Sequence, residues 1–182
     1  MKLTITISGL HGTGKSTYAR ILSKHFGLRH VSAGDLFRQI AKERGVSVIE
    51  LSKTASESRE IDSLIDERTR KEAETGDVII DGFLAGWMAG DAANLKIQLI
   101  APESVRIERI ARRDRVSYDE ARAETLRREK MERERFRKVY KIDINNYSIY
   151  DLVLNTGRLS LKANVGIIRV FIQEYIKLYG GK

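Results

Sequence analysis

Gly9-Leu10-His11-Gly12-Thr13-Gly14-Lys15-Ser16 puts three glycines, a lysine and two hydroxyls into eight consecutive residues. The order fits G-x-x-x-x-G-K-[ST], with an apolar run before it and a helical pattern after it. Glycines let a backbone turn tightly and approach an anion closely. Successive N–H groups then form a nest for phosphate oxygens, reinforced by the positive end of the following helix. Lys15 can reach the outer phosphates and the Ser16 hydroxyl can ligate Mg²⁺. The stretch from Gly9 through Thr17 is therefore expected to hold the phosphates of ATP. His11 is not demanded by the pattern and reads as an exposed side chain.

Other residues could complete such a site. Asp81-Gly82 follows the apolar run Val78-Ile79-Ile80. An acid at the end of a buried strand beside a phosphate loop can hold Mg²⁺, often through water; the competing reading is a simple Asp-Gly turn. Ser32-Ala33-Gly34-Asp35-Leu36-Phe37-Arg38 offers an acid and a guanidinium fork suited to phosphate. Arg109 and Arg113 lie four apart, and Arg128 and Arg135 seven apart, each pair on one face of a helical pattern. Positive groups of this kind stabilise a phosphoryl group in transfer. A run such as Glu132-Arg133-Glu134-Arg135 is equally compatible with a solvated, salt-bridged helix.

The elements that must position these residues alternate between strand and helix, which argues for an α/β fold with a parallel sheet covered on both faces. Strands are expected at residues 3–8, 29–32, 78–80, 96–100 and 151–155. Helical patterns span 15–26, 34–44, 47–75, the stretch after Pro102, 118–139 and a final segment. In that segment Leu161, Val165, Ile168, Ile172, Ile176 and Tyr179 form an apolar stripe. A chain of 182 residues suits one domain. It has no cysteine, which excludes disulfides and thiolate metal sites. No apolar run is long enough for a bilayer or a signal peptide, so a cytoplasmic protein is expected. Of the +8 net charge, +5 lies between residues 103 and 141, with 14 Lys/Arg against 9 Asp/Glu. Such a balance suits nucleotide phosphates or nucleic acid.

The segment from Ser32 to Arg38 resembles the nucleoside monophosphate kinase family, which carries Ser/Thr-x-Gly-Asp-x-x-Arg at this point. That resemblance implies that Arg38 grips the acceptor phosphate and that Asp35, with Ser16 and Asp81, organises the metal. It also places Ser32, Gly34, Asp81 and Gly82 beside the acceptor, and makes Lys15, Arg38 and the lid arginines Arg109, Arg113, Arg128 and Arg135 the catalytic set. Asp81-Gly82-Phe83 is similar to adenylate kinases, where Pro-Arg follows; here Leu84-Ala85 follows. A second acceptor-site arginine is therefore missing, and Arg59 or Arg70 could replace it. Ser32-Ala33-Gly34-Asp35, Leu84-Ala85-Gly86-Trp87-Met88 and Tyr150-Asp151-Leu152-Val153-Leu154-Asn155-Thr156 look like archaeal-type cytidylate kinases.

Over nearly the whole chain this resemblance implies a three-layer P-loop kinase fold with a five-stranded parallel sheet. It implies a single domain with an acceptor-binding insertion near 33–76 and a short lid near 112–140. The implied reaction is ATP- and Mg²⁺-dependent phosphorylation of CMP or dCMP, by a protein expected to be monomeric. Trp87 could stack near the base or anchor the core. Adenylate kinase or another small-molecule kinase is the alternative on the same fold. A P-loop ATPase acting on RNA is the alternative of another class, disfavoured because the basic segment lacks interleaved aromatics.

Overall fold

The structure is a computed structural model that describes residues 2–57 and 60–180. Among the described residues five strands form one parallel sheet in the order β2-β3-β1-β4-β5. They are β1 (Thr4–Gly9), β2 (Arg29–Ser32), β3 (Val78–Asp81), β4 (Leu95–Ile100) and β5 (Leu152–Asn155). The central strands β1 and β3 are buried along their whole length, as parallel strands covered on two faces should be. Pairing of Ile7 with Asp81 and of Ser32 with Asp81 brings the carboxyl ends of β1, β2 and β3 level. Loops at that edge of an open parallel sheet are where such folds build their sites.

Eight α-helices among the described residues surround the sheet: α1 (Lys15–Phe26), α2 (Ala33–Glu43), α3 (Val48–Glu57), α4 (Glu60–Thr75), α5 (Ala85–Ala89), α6 (Glu103–Asp114), α7 (Tyr118–Tyr140) and α8 (Leu161–Tyr179). Alternation along the strands divides the core. Ile5, Ile7, Ile79, Ile97 and Leu99 pack with Tyr18, Ala19 and Leu22 of α1 and Ile168 and Ile172 of α8. Val78 and Ile80 point the other way, onto Ala73 of α4 and Ala85 and Ala89 of α5. The α8 stripe is buried only in its middle; Leu161 and Tyr179 at its ends are exposed.

Smaller cores lie outside the sheet, and two of them flank the site. Ile40, Ala41, Leu51, Ala55 and Ile61 pack α2, α3 and α4 together, giving that helical group its own apolar centre. Leu84, Phe136, Ile142 and Ile144 form another with Leu10, Phe83, Trp87 and Tyr140, joining α7 to the loop after β1. Trp87 is thus a core anchor; it does not line the main cleft.

Two features depart from the expectation. The helical span expected over 47–75 is two helices, α3 and α4, with Arg59 outside the described residues. The short α5 follows β3, where Gly86 lets the helix approach Tyr150: a Cβ there would sit 2.8 Å from its ring. Five residues are too few to show a helical period in the sequence. The stretch after Pro102 ends at Arg115 in the left-handed region, and α7 then begins with a capping box between Ser117 and Glu120. No described helix is long and apolar enough to cross a membrane.

Candidate active site

Gly12 and Gly14 shape the loop between β1 and α1. Both have positive φ, and a Cβ on Gly12 would lie 2.4 Å from the Arg106 carbonyl oxygen of α6. The loop therefore turns directly against another backbone, which only glycine permits. Each carbonyl from Leu10 to Thr13 accepts a side-chain donor. Leu10 O accepts from Lys15 Nζ at 3.0 Å and Thr13 Oγ1 at 2.8 Å. His11 O accepts from Arg106 at 2.8 Å, Gly12 O from Arg109 at 3.3 Å, and Thr13 O from Thr156 Oγ1 at 3.0 Å. These donors fix the peptide planes of the loop before any ligand arrives.

Burial pulls the Lys15 ammonium down to about 8, against the opposing attraction of Asp81, Glu132 and Glu129. An incoming polyphosphate would reverse that penalty. Asp81 lies beside it. Its carboxylate accepts from Ser16 Oγ and Ser32 Oγ, both at 2.9 Å, and faces His30 Nε2 at 3.3 Å. Burial works against the charged form, but these hydrogen bonds and Lys15 outweigh it and hold Asp81 below its ordinary value. Ser16 and Asp81 thus present touching oxygen donors, the chemistry Mg²⁺ takes when it keeps waters and binds phosphates.

The loop opens into a cleft of about 830 Å³. Gly12, Gly14, Lys15, Ser16, Thr17, Ser32, Gly34, Arg38, Asp81, Gly82, Arg109, Arg113, Arg128 and Arg135 all line it. Gly9, Leu10 and Thr13 do not: Leu10 packs into the apolar cluster beneath, and Thr13 is fully buried. Arg38 is half exposed at the rim, 2.5 Å from Asp35. Asp35 itself is largely exposed and lies outside the cleft lining, so the structure does not bring it to Ser16 and Asp81. It sits in the first turn of α2, whose N-cap is Ser32. Among the described residues no group of three His, Asp or Glu is placed to hold a metal.

The arginines divide by their partners. Arg109 is tied to Gly12 and to both the hydroxyl and the carbonyl of Thr156, so it braces the loop. Arg113 is exposed and forked onto Asp114. Arg128 is 3.8 Å from Glu132, and its Nε has no hydrogen-bond partner among the described residues. Arg135 is buried 3.4 Å from Asp62, with its guanidinium over Phe136. Arg70 is exposed on α4 and absent from the cleft.

His11 is not the exposed side chain that the sequence suggests. Its Nε2 is 2.7 Å from Glu132 of α7, and its ring meets Phe83 edge-on at 5.7 Å. Glu132 is held below its ordinary value although burial opposes this, because His11, Arg128 and Arg135 surround it. Three further groups escaped the sequence reading. Arg106 pairs with Glu129, both buried. Thr156, directly after β5, joins the loop to the end of β4. Asp62, Asp66 and Thr69 line the cleft from α4. Their spacing of four and three was a legible helix face, hidden in a segment dense with charge.

Residues 4–158 match the cytidylate kinase-like family. The chain belongs to that family. The cytidylate kinase of Staphylothermus marinus is 45% identical over 96% of this chain and 99% of its own length. That of Pyrococcus horikoshii is 46% identical over 95% of this chain and 90% of its own. The shikimate kinase of Bacteroides thetaiotaomicron superposes with a TM-score of 0.62 over 95% of this chain and 99% of its own, at 15% identity. The Aquifex aeolicus shikimate kinase gives 0.56 over 94% and 97%, at 16% identity. These structural likenesses establish the fold and support the three-layer arrangement around a five-stranded sheet.

Proposed function

We propose that this family member transfers the γ-phosphoryl group of ATP to CMP or dCMP, giving ADP and CDP or dCDP. The observation that carries the reading is the loop from Gly9 to Thr17 opening into the same cleft as Arg38, Asp81 and a ring of arginines. Full-length similarity to cytidylate kinases supports CMP as acceptor. Lys15 and the loop amides hold the donor phosphates, and Arg38 leaves Asp35 to take the acceptor phosphate. Ser16 and Asp81 would hold Mg²⁺, which when bound would offset negative charge on the donor phosphates. An acceptor phosphate oxygen attacks the γ-phosphorus as the bond to the β-phosphate oxygen breaks. No enzyme-bound intermediate forms, so the protein contributes position and charge.

Arg128 has the geometry for the transferring group: it lines the cleft and its nearest carboxylate is 3.8 Å away. Arg113 joins it once released from Asp114. Arg109 serves by bracing the loop. Helices α2–α4 act as an acceptor-binding subdomain and residues 112–140, the end of α6 with α7, as a short lid whose closure excludes water from the donor. The test is ADP release with CMP, dCMP, UMP, AMP and shikimate, with Arg128→Ala beside the parent. CMP or dCMP should be the best acceptor, and Arg128→Ala should lower kcat by about 100–1000-fold. Best turnover with shikimate or AMP, or RNA-stimulated hydrolysis without an acceptor, would defeat the reading.

A further inference from the structure

Helix α7 holds His11 of the phosphate loop at three points. The ring Nε2 is 2.7 Å from Glu132 Oε2. The ring edge meets Phe83, which packs on Phe136 at 5.2 Å. The His11 carbonyl oxygen accepts from Arg106, which Glu129 holds in turn. Glu129, Glu132 and Phe136 are buried and lie three and four positions apart, so one face of α7 supplies all three. The pattern G-x-x-x-x-G-K-[ST] leaves position 11 open. A histidine there answers to α7 and not to the needs of a phosphate nest.

Glu132 has a competing partner. Arg128 stands one turn before it on α7, the i, i+4 spacing at which opposite charges ordinarily join. Yet their closest approach is 3.8 Å, beyond a hydrogen bond. Glu132 is only 10% exposed, so water does little to keep the two apart. What differs is the direction of the carboxylate: it reaches His11 at 2.7 Å and stops short of Arg128. Burial favours the neutral acid, but His11, Arg128 and Arg135 hold Glu132 below its ordinary value. An ionised carboxylate only accepts hydrogen bonds, so His11 Nε2 is the donor.

We propose that His11 is a positioning residue: by donating to Glu132 it keeps that carboxylate off Arg128 and leaves the guanidinium available to the phosphoryl group in transfer. The inference rests on the role given to Arg128 above and names what keeps Arg128 free for it. Without the His11 donor, the Glu132 carboxylate would be left buried with Arg128 as its nearest cation on the same helix. Pairing would then be its best remaining source of stabilisation. A guanidinium closed onto a carboxylate must leave it before it can meet a phosphate, and that step adds to the barrier. His11 therefore acts on the reaction through Arg128, without touching the transferring group.

The experiment measures kcat and KM with ATP and CMP for the parent, His11→Ala, His11→Gln, Arg128→Ala, Glu132→Gln and the doubles His11→Ala/Arg128→Ala and His11→Ala/Glu132→Gln. Thermal melts confirm that each is folded. His11→Ala should lower kcat by about 10–100-fold, with a smaller change in KM for ATP. His11→Gln keeps an N–H donor near the place of Nε2 and should lose less. In the Arg128→Ala background His11→Ala should cost less than about 2-fold, because the group it protects is gone. In the Glu132→Gln background it should again cost less than about 2-fold, because no carboxylate remains to capture Arg128. An equal cost in the parent and in Arg128→Ala overturns the inference and leaves His11 a strut between loop and helix. A His11→Ala protein with the kcat of the parent overturns it as well. Should His11→Ala fail to fold, the double with Glu132→Gln buries no orphaned carboxylate and decides the matter: a kcat more than about 5-fold below that of Glu132→Gln overturns the inference. An Arg128→Ala protein with unchanged kcat would instead strike the underlying role of Arg128, so the two failures are distinct.

Discussion

The salt bridge behind the phosphate loop makes a sharp stability test. Arg106 Nη1 lies 2.5 Å from Glu129 Oε1 and also donates to His11 O at 2.8 Å; Arg106 Nη2 reaches the other Glu129 oxygen at 3.3 Å. The two side chains are only 5% and 6% exposed. Arg106→Met would keep most of the aliphatic volume but leave the Glu129 carboxylate buried without its partner. That change should cost about 3–5 kcal/mol. For a chain of this size, each kcal/mol corresponds to roughly 2–4 °C in Tm. The expected fall is therefore on the order of 6–20 °C, read by calorimetry and urea melts. Adding Glu129→Met removes the orphaned charge, so the double variant should regain most of the loss. It would still lack the donor to His11 O. The two readouts therefore separate: stability returns in the double variant, whereas KM for ATP stays raised. A single variant that costs under about 1 kcal/mol would refute the account of a paired charge in a dry site. So would a double variant no more stable than the single.

Two further expectations concern the donor site. With Lys15 near 8 in the free protein, phosphates that favour its charged form must raise that value on binding, so ATP binding should take up protons between about pH 8 and 10.5. ATP affinity then declines as pH rises above about 8; calorimetry in buffers of different ionisation enthalpy reads the uptake, and its absence at about pH 9 would contradict the buried lysine. Asp81→Asn keeps the shape but loses the charge that Ser16, Ser32 and His30 surround. The Mg²⁺ midpoint for activity should rise by about 10–100-fold, while an unchanged midpoint would remove Asp81 from the metal site.

The sheet and the loop were legible because each follows from a local pattern. Short β-branched runs such as Val78-Ile79-Ile80, bounded by Gly76 and Asp81-Gly82, read as buried strands, and the glycines and Lys15 of the loop act within eight residues. The rest of the site depends on pairs far apart in the chain. His11 meets Glu132 across 121 positions, and Thr156 meets Thr13 across 143. Helix α7 shows why such pairs stay hidden. Its buried residues include Thr125, Glu129, Glu132 and Arg135, so the face turned inward is mostly polar. Hydrophobic periodicity carries no information about a face of that kind, and the same residues read as a solvated helix. Asp35 misled for the complementary reason: its spacing from Arg38 is that of a helical ion pair, and in the structure the two satisfy each other at the rim.

The inward charges of α7 also tie the two ends of the cleft together. Glu129 holds Arg106 and thereby His11 O; Glu132 holds the His11 ring and faces Arg128; Arg135 reaches Asp62 of α4. One helix therefore touches the glycine loop after β1, Arg106 of α6 and the α4 wall of the cleft. Shifting α7 by even part of a turn would change all three contacts together, because all of these groups stand on one helix. For the lid proposed above, seating would depend on the loop beneath it and on α4 across from it, so the position of Arg128 is coupled to both.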